Sequence, residues 1–285
     1  MGHVISFLNM KGGVGKTTLC REIAYYLQNS GKKVLVVDVD PQSNCTQSLF
    51  EKFSVDTVND EGVKLEGMPT IQNMYESKLV NIQRQNVILK LTENLSIIPG
   101  DLSTVFMERE VNSKNEQRLL TLIDQWELKR EFDYIFIDCP PTYSFYTVSA
   151  LLASDFYLAP AQPDLYSILG LDLLNNVVEN FKNDDQAALM KSRTLLCLGV
   201  VLTKVDLDGG VSKIISSIDT FARKKGLYRF KQEFKYMPKI ATSRMDTFVT
   251  DRNDALLLQT VQNICEEFEG RIDAANGQEK FNQQV

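Results

Sequence analysis

Only five cysteines, Cys20, Cys45, Cys139, Cys197 and Cys265, are spread over 285 residues. None forms a C-x-x-C pair and the total is odd, which excludes a short zinc clip and gives no disulfide framework. A reducing compartment suits such a chain. Also missing is any apolar run near the roughly 18 to 20 residues that a membrane-spanning helix needs, and no charged-then-apolar leader opens the sequence. Basic charge is short as well: 31 Lys and Arg face 37 Asp and Glu, a net of -6. Coating nucleic acid with the whole surface is thereby excluded, because phosphate binding takes a local excess of cations. Any basic face must be local. Internal repeats and low-complexity tracts are absent too. Together these absences lead to the expectation of a soluble, unprocessed, cytoplasmic protein with no membrane partner. The opening "MGHVIS" fits the myristoylation pattern, but His3 to Leu8 reads better as a first core strand.

What is present is a run of apolar strands alternating with helices. At 44% hydrophobic the chain can bury one large core, so a single domain over residues 1–275 is expected, with 276–285 as a frayed tail. "HVISFLN" (3–9), a helical stretch over 16–31 and "KVLVVD" (33–38) make a βαβ unit, which implies a parallel sheet and a right-handed crossover. Residues 51–68 lose periodicity and read as a surface excursion. Two short strands flank residues 92–94. The strands "FDYIFIDCPP", "DFYLAPAQ" and "TLLCLGVVLTKVD" then follow, each leading into a helix-like segment, and the last helix is expected over 254–274. Apolar runs of this kind suit strands covered on both faces, so the fold class is α/β: a doubly wound, mostly parallel sheet with helices on both sides.

Chemistry concentrates in "NMKGGVGKTT", Asn9 to Thr18. Gly12, Gly13 and Gly15 let the backbone turn tightly, so that its N–H groups and the next helix N-terminus face phosphate oxygens. Lys16 is placed for the β/γ-phosphates and Thr17 Oγ1 for Mg²⁺. The plainer alternative is a glycine turn with a solvated lysine. Read strictly, the usual pattern G-x-x-x-x-G-K-[ST] fails, because Met10 stands where its first glycine belongs and a second lysine, Lys11, follows. The strand "YIFID" ends in Asp138, suited to holding Mg²⁺ through water, and "VLVVD" leads into "DVDPQSN", which puts Asp38 and Asp40 beside the phosphates. A carboxylate there can orient the attacking water.

In this order, "KGGVGKTT", "VLVVDVDPQSN", "SIIPGD", "YIFIDCPP", "APAQPDLYSILGLDLL" and "VVLTKVD" resemble the ParA family of partition ATPases, within the deviant Walker A group that also holds MinD. The resemblance runs from His3 to about residue 270. It implies that Lys11 reaches across an ATP-sandwich homodimer to the partner's nucleotide, and that Lys11, Lys16, Thr17, Thr18, Asp40 and Asp138 serve ATP and Mg²⁺. Gly12, Gly13, Val14 and Gly15 form the loop, and Thr17, Asp138 and Asp40 are the metal-side residues. Loss of Asp40 should stop hydrolysis while sparing binding. Thr203 and Pro238 fall where the family approaches adenine, and Lys204 departs from the Met or Leu usual there. The first strand starts at residue 3, so no helix-turn-helix extension or operator binding is expected.

A local basic segment does exist. "RKKGLYRFKQEFKYMPKIATSR" (223–244) carries eight Lys or Arg against Glu233 alone, with Tyr228, Phe230, Phe234 and Tyr236 interleaved. Arg223, Lys224, Lys225, Arg229, Lys231 and Lys235 are its candidate contacts to double-stranded DNA without sequence preference. The alternative is a solvated helix end and an edge strand whose aromatics are core. The resemblance favours DNA, with release by a centromere-binding ParB-like partner and a nucleoid location. The rivals fit less well. A MinD-like ATPase should end in a basic amphipathic helix, a nitrogenase-reductase relative needs bridging cysteines, and a tyrosine-kinase relative needs a C-terminal tyrosine cluster. A scaffold without activity has no use for Lys16, Thr17, Asp40 and Asp138 together.

Overall fold

Short runs rich in Val, Ile and Phe become buried strands, because β-branched and aromatic side chains pack well on a pleated surface. The computed structural model describes residues 1–57, 65–76, 82–104, 113–183, 195–205, 211–235, 247–252 and 254–282. In chain order, β1 (His3–Phe7) leads through α1 (Lys16–Asn29) to β2 (Val34–Asp38). Then come α2 (Asn44–Lys52), α3 (Ile71–Glu76) and a hairpin of β3 (Leu89–Lys90) and β4 (Leu95–Ile98). After α4 (Ser113–Glu116), α5 (Arg118–Gln125) and α6 (Leu128–Glu131) the chain enters β5 (Tyr134–Asp138), α7 (Phe145–Ala153), β6 (Phe156–Ala161) and α8 (Ser167–Asn183). It finishes with β7 (Leu196–Val205), α9 (Ser212–Lys224), β8 (Arg229–Lys235) and α10 (Ala255–Asn282).

The strands form one eight-stranded sheet in the order β3-β4-β2-β5-β1-β6-β7-β8. Every pairing is parallel except β3 with β4, where Leu89 faces Ile97. The chain winds outward to β2 and β4 on one side of β1 and to β6, β7 and β8 on the other. Strand order therefore reverses at β1, and the crevice beyond its C-terminal end is where such sheets bind ligands. In register, Phe7 lies beside Asp138 and Asp38 beside Asp138, which brings the ends of three strands together.

Alternate residues of each strand feed two cores, as the two-residue repeat requires. Ile5, Phe7, Val36 and Phe136 join α1 and α10 on one face, while Val4, Val37, Ile135 and Ile137 join α5, α7 and α8 on the other. Phe7 meets Phe136 edge-on at 5.4 Å between ring centroids, and Phe136 meets Phe268 of α10 at 5.7 Å. Truncating such a ring costs about 3–5 kcal/mol. At the other end, Gly2 is buried and its N–H donates to the Lys129 carbonyl at 2.7 Å, so this residue is part of the fold.

Two local features depart from the sequence reading. Helix α10 runs on to Asn282 instead of stopping near residue 274. A single glycine, Gly277, costs a helix only about 1 kcal/mol, and the Gln, Glu and Lys that follow are good helix formers. The second is α2, unmarked by any steady period. Strand β8 forms one edge of the sheet, with Phe230 and Phe234 buried beneath it. Its outer backbone is covered: Glu267 of α10 accepts the N–H of Lys231 at 2.8 Å and of Gln232 at 3.0 Å.

Candidate functional site

The loop between β1 and α1 is shaped by its glycines. Gly13 (φ 74) and Gly15 (φ 84) occupy the left-handed region that other residues avoid. Asn9 ties the loop down, its Nδ2 donating to the Pro160 carbonyl at 2.7 Å while its Oδ1 accepts the Lys11 N–H at 2.9 Å. Lys16, 6% exposed, directs its ammonium at the carbonyls of Asn9 (3.2 Å) and Lys11 (3.3 Å). Burial lowers its pKa from the usual lysine value, against the pull of Asp138. Val14 is buried, Gly12 and Gly13 are exposed, and Thr17 and Thr18 are partly open to solvent.

Thr17 Oγ1 donates to Asp138 Oδ2 at 2.7 Å, so the first turn of α1 and the end of β5 meet as expected. Asp138 Oδ1 is buried with no hydrogen-bond partner among the described residues. Burial, and then the nearby Asp38, push the Asp138 carboxyl well above the usual carboxylate range. An orphaned carboxylate oxygen beside a threonine hydroxyl fits a hard divalent cation that keeps several waters. No cluster of three or more His, Cys, Asp or Glu offers a protein-only metal cage among the described residues. Mg²⁺ held mainly by substrate phosphates needs no such cage.

Asp38 and Asp40 part company. Asp38 is fully buried, and its Oδ2 accepts both the N–H (2.8 Å) and Oγ1 (2.7 Å) of Thr46. Its Oδ1 accepts the Asp40 N–H at 3.2 Å. Burial raises its pKa from 3.8 to about 7. Asp38 thus anchors the start of α2 and the 40–43 turn, and its oxygens are engaged there instead of at the phosphates. Asp40 is 9% exposed and uses Oδ1 to accept the Gln42 N–H at 2.9 Å. That turn holds it just beyond the end of β2, close enough to Lys16 for their charges to interact.

Lys11 does not share the station of Lys16. Its ammonium pairs with the Asp164 carboxylate, in the turn before α8. Burial raises the Asp164 pKa, but the hydrogen bonds from Lys11, the Tyr166 N–H and Ser167, with the Lys11 charge, together outweigh it and the carboxyl titrates below its usual range. Gly170 of α8 packs on the same loop: a Cβ there would come within 2.9 Å of Asn9 Oδ1 and 3.1 Å of Lys11 Cβ.

The base side differs from expectation in its contacts. Thr203 Oγ1 donates to the Val14 carbonyl at 2.6 Å, so this hydroxyl props the loop. Lys204 Nζ donates to the Gly13 carbonyl at 2.7 Å. Pro238 lies outside the described residues.

Beneath the loop, α1 is tied to later parts of the chain. Glu22, 1% exposed, accepts the Val249 N–H on Oε2 at 2.8 Å, and burial raises its pKa from 4.5 to about 7. Arg21 reaches Ser48 of α2, and Lys52 pairs with Asp251 at 2.6 Å. Cys20 and Cys45 are neighbours here although 25 residues apart; both are free thiols, and burial holds Cys20 well above the usual thiol range.

The basic segment divides. Arg223, Lys224 and Lys231 are exposed, and Lys235 is partly so. Lys225 pairs with Asp172 at 3.0 Å, and Arg229 is engaged by Asp219 at 3.2 Å and by Glu233. Phe230 and Phe234 belong to the core, and Tyr228 lies between Phe230 and the Arg271 guanidinium, 4.1 Å from its ring centroid. Tyr236 and residues 237–246 lie outside the described residues. Asn9, Thr46 and Asp164 are site residues that sequence reasoning missed. The glycine signature marks the loop but not its props, and "QPDLYS" holds the one local hint for Asp164.

The AAA domain family profile matches residues 2–191, well over half of the chain. Among curated proteins, the sporulation initiation inhibitor protein Soj of Bacillus subtilis is 34% identical over 79% of this chain and 82% of its own length. The chromosome partitioning protein ParA of Myxococcus xanthus is 29% identical, over 79% of this chain and 73% of its own. Among solved structures, a plasmid partition protein of Borrelia burgdorferi bound to AMPPNP superposes with a TM-score of 0.73 at 22% identity, covering 95% of this chain and 99% of that one. The ATP complex of Cyanothece McdA(D38A) gives 0.73 at 20% identity and covers 96% of each. The loop with two lysines, the Thr17–Asp138 pair, the Asp40 turn and these likenesses agree: the chain belongs to the ParA-type partition ATPases.

Proposed function

We propose that this protein is a DNA partition switch for a plasmid or chromosome, which dimerises around ATP and Mg²⁺, binds DNA without sequence preference in that state, and lets go after hydrolysis. The observation that carries the reading is the separation of the two lysines. Lys16 is buried on the loop carbonyls, ready to exchange them for phosphate oxygens, while Lys11 points outward to Asp164. A cation placed outside its own site suits one that completes another subunit's site, as an arginine finger does in trans. Beside it, Leu165, Tyr166 and Leu169 are exposed at the start of α8, an apolar border that a second copy can cover.

Each side chain then has a task. Val14, Gly15 and Thr18 offer loop N–H groups to the phosphates, and Lys16 neutralises the β/γ oxygens. Thr17 and Asp138 would hold Mg²⁺, Asp138 through water, and the ion supplies charge neutralisation for the leaving diphosphate. Asp40 orients the attacking water, held in place by the Asp38–Thr46 anchor. Lys11 leaves Asp164 for the partner's nucleotide, so that the two ATP molecules become part of the interface. DNA meets Arg223, Lys224, Lys231 and Lys235, and pairing two copies doubles the phosphate contacts, which makes affinity depend on ATP. A centromere-binding ParB-like partner that stimulates hydrolysis would reset the cycle.

The test is binding to a duplex of arbitrary sequence with ATP, ADP or no nucleotide, across a salt series. Binding that requires ATP and falls steeply with salt is expected. No binding in any state would remove DNA from the reading and move it to positioning of a membrane-bound or protein cargo.

A further inference from the structure

We infer that Lys204 is a positioning residue of the nucleotide site, one that holds the phosphate-binding loop in its nucleotide-ready shape from the end of β7. The inference rests on the ATP reading above and is independent of the dimer and of DNA. Lys204 has φ 52, in the left-handed region that a residue with a Cβ enters only under strain. The pairing of β7 with β8 shifts register around it, between Thr203 and Val205. The distortion has a product: it lets the side chain leave the strand and reach the loop, where Nζ donates to the Gly13 carbonyl at 2.7 Å.

Its neighbour acts on the next peptide. Thr203 Oγ1 donates to the Val14 carbonyl at 2.6 Å, and a Cβ on Gly15 would lie 3.5 Å from Thr203 Cβ. Two consecutive residues of β7 thus hold two consecutive carbonyls of the loop. In a planar trans peptide the C=O and the following N–H point in opposite directions. Turning the Gly13 and Val14 carbonyls toward β7 therefore turns the Val14 and Gly15 N–H groups away from it, toward the side where a loop of this kind receives phosphate. Lys16 also holds loop carbonyls, those of Asn9 and Lys11, but must give them up when it takes the phosphates. Lys204 and Thr203 have no such second duty and keep the loop in shape through the exchange. A Met or Leu at 204 has no donor with which to do this.

Without the latch, only a fraction of loops is ready for ATP and the apparent dissociation constant rises by the inverse of that fraction. The experiment measures the Kd for ATP with Mg²⁺ by calorimetry, and the Tm of the nucleotide-free protein, for wild type, K204M, K204G and K204R. K204M should bind about tenfold more weakly, the size of one charge-assisted hydrogen bond. K204G should bind as weakly although it relieves the left-handed strain, so that its nucleotide-free Tm stays at or above that of wild type. K204R keeps a donor and should stay within about threefold of wild type. A lysine of merely structural value gives the opposite pattern: K204G binds ATP as wild type does, or the affinity lost in each variant tracks a lowered Tm. Either result, or K204R as weak as K204M, overturns the inference while leaving ATP binding intact. Wild type failing to bind ATP overturns the ATP reading and this inference with it.

Discussion

At the C-terminal ends of β1, β2 and β5, charge is buried: Lys16, Asp38, Asp40 and Asp138 lie at or below 9% exposure and are held by Asn9, Thr46, Thr17 and the loop backbone. At the β8 edge the opposite holds: Arg223, Lys224 and Lys231 stand in solvent, and among the described residues carboxylates pair with Lys225 and Arg229. Buried charge must be matched atom by atom, since each unpaired group costs free energy. Exposed charge acts through its number and sign, over a screened distance of about 10 Å. The first region therefore carries chemistry that fails with one substitution. An affinity carried by the second, as the proposed function has it, erodes by degrees.

The sharpest way to break that contrast is Lys16→Ala, expected to weaken ATP binding by a factor of about 10² or more, as loss of a preorganised cationic contact does. Binding near the wild-type level would mean the phosphates lie elsewhere. Asp40→Ala should lower kcat by about 10² while ATP affinity changes severalfold at most, the range for a group acting on the nucleophile. Turnover at the wild-type rate would take the water-orienting role away from Asp40.

Glu22 joins α1 to Val249, which follows the basic segment in the chain. Its pKa rises from 4.5 to about 7 on burial, so the native state holds the proton more tightly than the unfolded chain. The stability it contributes is full below about pH 4.5 and is lost as pH rises through 7. Glu22→Gln should flatten that slope and leave the protein about 1–2 kcal/mol more stable at pH 8, measured by urea unfolding. An unchanged slope would place the carboxyl's titration outside this window. The smallest effects belong to the edge: Arg223→Ala, Lys224→Ala and Lys231→Ala should each reduce the salt slope of DNA binding by about 1 with ATP turnover retained. Arg229→Ala, by contrast, should lower Tm more than it lowers DNA affinity.

The same contrast governs what could be read in advance. The loop glycines, Lys16, Thr17 and Asp138 were legible because phosphate and metal chemistry demand those residue types at strand ends. Asp40 was singled out over Asp38 only through the family resemblance, and nothing local showed that Asp38 would serve Thr46 and the start of α2. Thr203 was expected near the base, and its hydroxyl holds the Val14 carbonyl of the loop. Phe230 and Phe234, which the sequence left open between a nucleic-acid face and the core, are core residues, a distinction set by which face of β8 meets α10. Lys11 was recognised by position, yet its pairing with Asp164 joins segments more than 150 residues apart and has no local signature.

Glu267 has a consequence beyond the site. An open sheet offers unpaired backbone at its rims, and another chain can add itself there as an extra strand. On one rim the Glu267 carboxylate already occupies the donors of Lys231 and Gln232, and on the other β3 is two residues long and runs antiparallel. Both rims are thereby poorer templates for edge-to-edge pairing between copies.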